Sequence, residues 1–387
     1  MSRPRLEILF AAESLLPPAG GAERFALEWL GALSGRHGVR AVWLGDGGAT
    51  PAQRDGVELA PAAPPETGGG YWTRKRRRRD AVGRRVDAAL AERPADVVVT
   101  ALHAAPAAIA AGRRRHAATV LMLHSYEALC KYAFDAGSDC VPESRCRDCP
   151  RARALEPAER RELLASREAH GTALAEVDRL VAPSRFVAGA CEAWCGRRPV
   201  VVPDVTALSP PVPASPTGHV LLASARWTPH KGADLVEPLA RALAPRPVAI
   251  TANGLDAARA RRLAGCAHVD VRPNEPIGEL LAGARALLVP SRWPEPFGRV
   301  AFEALSAGVP ALASAVGGLP EYVPAGQLVD DPASVPAWLR ALEELEQPGR
   351  WEAARRAGIE AARAVVSSPP VERLEAVLLE AAGARVA

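Results

Sequence analysis

The sequence predicts an α/β protein built of two doubly wound halves. Three observations carry this. Short apolar runs alternate with amphipathic stretches along the chain, the pattern of parallel strands covered by helices on both faces. The alternation stops and then restarts in the second half. Between the halves lies Pro203 to Pro216, which holds Pro203, Pro210, Pro211, Pro213 and Pro216 and no long apolar run, a stiff and exposed linker composition. The 387 residues fit two domains at roughly 100–200 residues each.

In order along the first half, Leu6–Ala12 reads as a buried strand. Gly20-Gly21 follows, then a helix over Ala22–Leu33 with Phe25, Leu27, Trp29, Leu30 and Leu33 at helical spacing. Val39–Leu44, Asp96–Thr100, Ala118–Leu123, Arg179–Ala182 and Pro199–Val202 are further strands. Gly68–Trp72 reads as a loop, and the run Arg74–Arg79 with Arg84 and Arg85 as a helix carrying eight basic residues against Asp80 and Asp87. A solvated, arginine-biased helix face is the first reading of that run; an anionic acceptor, an acidic membrane surface or nucleic acid are the others. In the second half the strands are Val220–Ala223, Val248–Thr251, His268–Val271, Ala286–Val289 and Pro310–Ala313. Val371–Leu379 is helical by spacing.

Composition narrows the function classes. With 48% hydrophobic and 24% charged residues, the chain is neither wholly disordered nor membrane-embedded. A net charge of +4, from 48 basic and 44 acidic residues, gives no general nucleic-acid-binding surface. Lys75, Lys131 and Lys231 are the only lysines, so an isolated lysine says more here than an arginine. The N-terminal apolar stretch is too short for a secretory leader, and Val97 to Gly112 falls short of a membrane span. A cytoplasmic location and mostly reduced cysteines are therefore expected.

In doubly wound sheets, ligands bind in loops beyond the carboxyl ends of strands. The strand Ala286–Val289 runs into Pro290-Ser-Arg-Trp-Pro-Glu295-Pro-Phe-Gly-Arg-Val-Ala-Phe-Glu303. Pro294, Pro296 and Gly298 make the first part a loop, and Phe302, Leu305 and the alanines make the second part a helix. Glu295 thus precedes a helix N-terminus and Glu303 lies on its first two turns. The main-chain N–H groups of Phe297, Gly298, Arg299 and Val300 face the same space, with the positive end of the helix dipole behind them. Carboxylates accept from sugar hydroxyls and free N–H groups hold phosphate, so the matching ligand is a sugar nucleotide.

With these residues in view, the sequence resembles the retaining glycosyltransferases of family 4, which have the GT-B fold: two Rossmann-like doubly wound domains facing each other across a cleft. The resemblance rests on Glu295–Glu303 within EPFGRVAFEALSAGVPALAS, followed by Gly317-Gly318-Leu-Pro-Glu321. It extends to Gly20-Gly21-Ala-Glu-Arg24, to Val181-Ala-Pro-Ser184 and to Ser224-Ala-Arg226-Trp-Thr-Pro-His-Lys231-Gly232. The resemblance implies that Glu295 contacts donor-sugar hydroxyls, Glu303 the nucleotide ribose, and Arg226 and Lys231 the diphosphate. It implies that His124, at the end of Ala118–Leu123, contacts the donor sugar; His103 after the preceding strand is its rival. Gly21 permits close approach of a phosphate or acceptor. The domains are then residues 1–203 for the acceptor, 204–365 for the donor, and a helix within 366–387 that crosses back to the first domain. Where the family has Pro-Asn-Gly and Gly-Asp-Gly, this chain has Pro203-Asp204-Val205 and Ala252-Asn253-Gly254.

The implied reaction is retaining transfer of a sugar from a nucleotide-diphosphate donor to an acceptor hydroxyl, with no cofactor and no metal for catalysis. The acceptor stays open among a small molecule, a lipid and a glycan; nucleic acid is not expected, and peripheral membrane contact is not the favoured reading. The rival readings are another GT-B activity, such as a sugar-nucleotide epimerase or a phosphorylase, and a non-catalytic sugar-nucleotide-binding partner protein. Separately, Cys130, Cys140, Cys146 and Cys149 form a C-x9-C-x5-C-x2-C cluster in an insert over 130–149. A structural zinc and a metal-free cluster both stand as readings, with disulfides third.

Overall fold

The computed structural model describes residues 4–16, 20–45, 52–130, 146, 149–273 and 275–383. The chain divides into two compact units. The first takes the chain up to Thr206 and again from Pro370; the second is Ala207–Pro369.

The first unit is built on β1 (Glu7–Ala11), β2 (Gly38–Leu44), β3 (Ala52–Arg54), β4 (Val57–Ala62), β5 (Val97–Ala101), β6 (Ala118–Met122), β7 (Arg179–Ala182) and β8 (Val200–Val201). They lie in the order β3-β4-β2-β1-β5-β6-β7-β8, parallel except for β3 against β4. β1 shows why its apolar run is continuous. Ile8 and Phe10 pack with Phe25, Trp29, Leu30 and Leu33 of helix Gly21–Ser34 on one face. Leu9 and Ala11 pack with Val82, Val86 and Leu90 of helix Tyr71–Glu92 on the other. A strand buried on both sides needs apolar residues at both phases of its two-residue period.

β3 and β4 were not among the expected strands. They sit at a sheet edge, and only Val57 and Leu59 of the pair are buried, so the apolar signal is thin. The legible sign was Asp55-Gly56, whose φ values of 51° and 75° make the tight turn that joins them.

Helix Pro370–Gly383 completes the first unit. Leu374, Val377, Leu378 and Ala381 join the core on the β1 face. Glu375, fully buried, takes the Nε2 proton of His37 at 2.9 Å and meets Arg36 at 3.0 Å. The Leu6 N–H donates to His37 Nδ1, which fixes the proton on the other nitrogen.

The second unit has β9 (His219–Leu222), β10 (Val248–Thr251), β11 (Val269–Arg272), β12 (Ala284–Val289), β13 (Ala311–Ser314) and β14 (Leu328–Val329). The order is β11-β10-β9-β12-β13-β14, all parallel. The two-residue β14 is too short to leave a pattern in the sequence. Strand order reverses between β9 and β12, so the loops leaving these two strands diverge to opposite faces of the sheet and open a crevice.

Candidate functional site

The β9 loop carries Arg226 and Lys231, and the β12 loop carries Glu295, so the sequence-derived residues converge at the switch point. Backbone contacts hold the two loops together. The Arg292 N–H donates to His230 O at 2.8 Å. Gly232, at φ 76°, passes so close to Pro290 that a Cβ would stand 2.1 Å from its carbonyl oxygen. The glycine after Lys231 is therefore required twice, by its left-handed backbone and by this approach.

Lys231 Nζ donates to both carboxylate oxygens of Glu295, at 2.6 Å each. Ser291 Oγ, at the start of the same loop, donates to Glu295 Oε1. The ammonium also lies 5.6 Å from the Trp293 ring centroid. Glu295 is buried, so its charge survives because it is paired and hydrogen-bonded. Arg226 is different: its guanidinium is exposed and pairs with no carboxylate among the described residues. Its loop is braced by Ser224 Oγ, which accepts from Arg226 N at 3.3 Å, and by Trp227 N–H donating to Asn253 O at 2.8 Å.

Helix Arg299–Ala307 starts at Gly298, whose φ of 88° sets the entry angle. The Tyr322 hydroxyl donates to Gly298 O at 2.7 Å, and Phe297 stacks on Tyr322 with centroids 4.9 Å apart. Phe297 therefore offers a ligand only its main chain; its ring belongs to the support. Burial holds the Tyr322 phenol well above its usual range, and the nearby Glu295 and Glu303 carboxylates push it further. One buried phenol thus senses both acids. Glu303 meets Arg299 of the same helix at 3.4 Å. Gly317, at φ 62°, approaches the Glu295 backbone so that a Cβ would lie 2.4 Å from Glu295 O, while Gly318 N–H donates to that oxygen at 2.7 Å. The Gly-Gly pair is a backbone brace for the Glu295 loop. Ser291, Trp293 and Tyr322 were missed in the sequence; their signal was position alone, beside the two acids in the chain.

In the first unit, His124 follows β6 and its ring is buried. Nδ1 lies 2.9 and 3.0 Å from the two carboxylate oxygens of Asp204. Gly21 opens helix Gly21–Ser34, whose Phe25 ring meets the His124 ring edge-on at 5.8 Å. Gly20 is extended, so neither glycine is required there by a left-handed backbone. Asp204 packs in the first unit, which ends at Thr206.

Comparison with known proteins fits this geometry. Residues 19–205 match the model described as Glycosyltransferase Family 4, and residues 207–364 match that of glycosyl transferases group 1. The chain belongs to glycosyltransferase family 4. D-inositol 3-phosphate glycosyltransferase 1 of Catenulispora acidiphila is 39% identical over 110 residues, 27% of this chain and 26% of that protein. D-inositol 3-phosphate glycosyltransferase of Corynebacterium diphtheriae is 38% identical over 132 residues, 31% of this chain and 30% of that protein. The aligned stretches thus span less than a third of the length of these curated relatives. The fold is shared over far more. Sucrose-phosphate synthase from Thermosynechococcus elongatus superposes with a TM-score of 0.72 at 17% identity, over 97% of this chain and 98% of that one. Anabaena HepE in complex with UDP-glucose gives 0.68 at 16% identity, over 98% and 100%. The two parallel-sheet units of this family 4 member are those of the GT-B fold.

Two expectations need revision. The zinc reading of the cysteines is not supported: among the described residues, no three His, Cys, Asp or Glu side chains are placed to hold a metal ion. Among the described residues Cys130, Cys146 and Cys149 form no disulfide, and Cys140 lies outside the described residues. Cys146 hydrogen-bonds with Cys130, and that bond and burial push its thiol far up. The basic run is not simply a solvated face. Arg76 pairs with Glu162 at 2.9 Å, Lys75 with Glu13 at 3.1 Å, Arg78 with Glu13 at 3.3 Å and Arg79 with Asp80 at 3.5 Å. Much of its charge is spent inside the unit. Among the described residues, no helix is long and apolar enough to cross a membrane.

Proposed function

We propose that this protein transfers a sugar, with retention of anomeric configuration, from a nucleoside diphosphate sugar to an acceptor hydroxyl. The observation that carries the reading is that Lys231 and Glu295 meet where the β9 and β12 loops leave the switch point of the second sheet, with Arg226 on the β9 loop and helix Arg299–Ala307 following Glu295 in the chain. Arg226 and Lys231 meet the diphosphate, where negative charge grows as the leaving group departs. The first-turn main chain around Gly298 and Val300 adds N–H donors that have no carbonyl to bond within the helix. Glu295 accepts from donor-sugar hydroxyls and Glu303 from the ribose. His124 contacts the donor sugar, and the first unit, including the segment opened by Gly21, takes the acceptor. UDP-sugar binding by HepE and the inositol phosphate acceptors named for the curated relatives support this class of reaction without fixing either substrate.

With Arg226 and Lys231 supplying the positive charge, the reading needs no divalent metal. The deciding experiment is a thermal-shift panel of nucleoside diphosphate sugars. A donor at 100 times its dissociation constant adds about 2.7 kcal/mol of stability. Hits are then assayed for donor hydrolysis and for transfer in EDTA, and the product anomer is assigned by NMR. No shift with any donor overturns the reading. Turnover lost in EDTA and restored by magnesium overturns its metal-independent form. Binding without hydrolysis or transfer leaves the non-catalytic binding protein as the better description.

A further inference from the structure

We propose that Asp204 is a positioning residue: its carboxylate holds a hydrogen of the His124 ring on Nδ1 and so presents Nε2 to a ligand hydroxyl. The proposal deepens the donor-site reading of His124 and rests on it.

The geometry is specific. His124 is 8% exposed and Asp204 7%. Both Asp204 oxygens lie at bonding distance from a single ring nitrogen, 2.9 and 3.0 Å from Nδ1. An ionised carboxylate only accepts, so Nδ1 must carry the hydrogen. The other nitrogen, Nε2, is buried and has no hydrogen-bond partner among the described residues. A buried ring nitrogen without a partner is unfavourable unless a ligand supplies the missing group. His37 shows the alternative, a buried histidine with both nitrogens occupied by the protein itself. His170 also leaves Nε2 without a hydrogen bond among the described residues, but its Nδ1 meets the Ser166 carbonyl rather than a carboxylate, and His103 Nε2 lies 3.3 Å from Glu127.

Two features make Asp204 rigid enough for this work. It sits in a tight turn closed by Val205 N–H donating to Pro203 O at 2.8 Å, just after β8. The preceding Val202 N–H donates to Ala182 O at 2.8 Å, which ties the turn to β7. On the other side, the Phe25 ring closes on His124 edge-on. The imidazole can neither flip nor shift its proton without losing the carboxylate. An aspartate holds the N–H by a charge-assisted bond.

The test separates tautomer from fold. Long-range 1H–15N correlation spectra of the full-length protein report which imidazole nitrogen is protonated, with His124→Gln assigning the signal. The expected result is an Nδ1–H ring in the wild type and in Asp204→Asn, whose amide oxygen still accepts from Nδ1. Asp204→Ala shifts the proton to Nε2 and lowers kcat for donor turnover on the order of 100-fold, while D204N stays within about tenfold of wild type. If D204A does not fold, Asp204→Ser, too short to reach Nδ1, takes its place. The proposal is overturned if the alanine or serine variant keeps the Nδ1–H ring, or if it changes the ring without changing kcat. It is also overturned if D204N loses as much activity as D204A with its tautomer intact. A wild type that turns over no nucleotide sugar defeats the donor-site reading, and with it the ligand role of Nε2; the nitrogen spectra then still decide whether Asp204 sets the tautomer.

Discussion

Lys231 and Glu295 are bound to each other, ammonium to both carboxylate oxygens at 2.6 Å. The sequence assigns them to different parts of a donor, the lysine to phosphate and the glutamate to sugar. In the structure each is the other's counter-ion. On the proposed reading, donor binding re-partitions this pair: the ammonium moves toward phosphate, and sugar hydroxyls replace it on the carboxylate. Ser291 Oγ also donates to Glu295.

Lys231→Met is expected to lower kcat/KM by about 100–1000-fold, the cost of removing a preorganised contact to developing charge. It also leaves the buried Glu295 carboxylate without its cation, so the melting temperature falls. Glu295→Gln should impair transfer with a smaller loss of stability, because a neutral amide needs no counter-ion. Steady-state kinetics beside melting curves of the two variants check the asymmetry. Equal melting temperatures for both would contradict it.

Gly232→Ala forces a Cβ into the Pro290 carbonyl and a side chain onto a left-handed backbone. A cost of about 1–3 kcal/mol is expected from the backbone alone. The strain falls on the joint between the β9 and β12 loops, so the stabilisation given by a bound donor should shrink too. Chemical denaturation with and without the best donor of the panel measures both. Gly326→Ala, with open space at its Cβ, is the control.

Glu375→Ala removes the anchor of the last helix. His37 keeps a buried Nε2–H with no acceptor, because Leu6 N–H already occupies Nδ1. Leaving that buried donor unsatisfied costs about 1–3 kcal/mol, and hydrogen exchange in Pro370–Gly383 should rise with it. Unchanged protection in that helix would mean that Leu374, Val377 and Leu378 hold it unaided.

His170 gives a pH test. Burial holds its ring down at about 3, against an ordinary value near 6.5. The unfolded chain therefore takes up the proton first. The stability contributed by the neutral ring is complete above pH 6.5 and is lost as pH falls from there toward 3, by up to about 1.4 kcal/mol per pH unit. His170→Asn, which retains an N–H for Ser166 O, should flatten the stability curve between pH 6.5 and 4.5 by that one proton. Identical slopes in the two proteins would refute the assignment.

Much of this molecule is written locally. The expected strand runs fall on β1, β2, β5 to β8 and β9 to β13; most of these are buried on both faces and therefore largely apolar, as in β1, β5 and β6. Glu295, Gly298 and Glu303 were legible because a loop, a glycine and a helix start follow one another in the chain. The edge strand β3, exposed throughout, and its neighbour β4, with one buried face, were not.

What the sequence by itself determined is the alternation of strand and helix, the two-part division and the identity of the charged groups at the strand ends. What only the tertiary structure decided is who neutralises whom. That Lys231 rests on Glu295, that Asp204 holds His124 across 80 residues, that Glu375 reaches back to His37, and that Glu13 absorbs part of the basic helix are all pairings between distant segments. The reason is physical: backbone preference and apolar period act between neighbours in sequence, whereas a buried charge takes whatever partner the folded chain brings within reach.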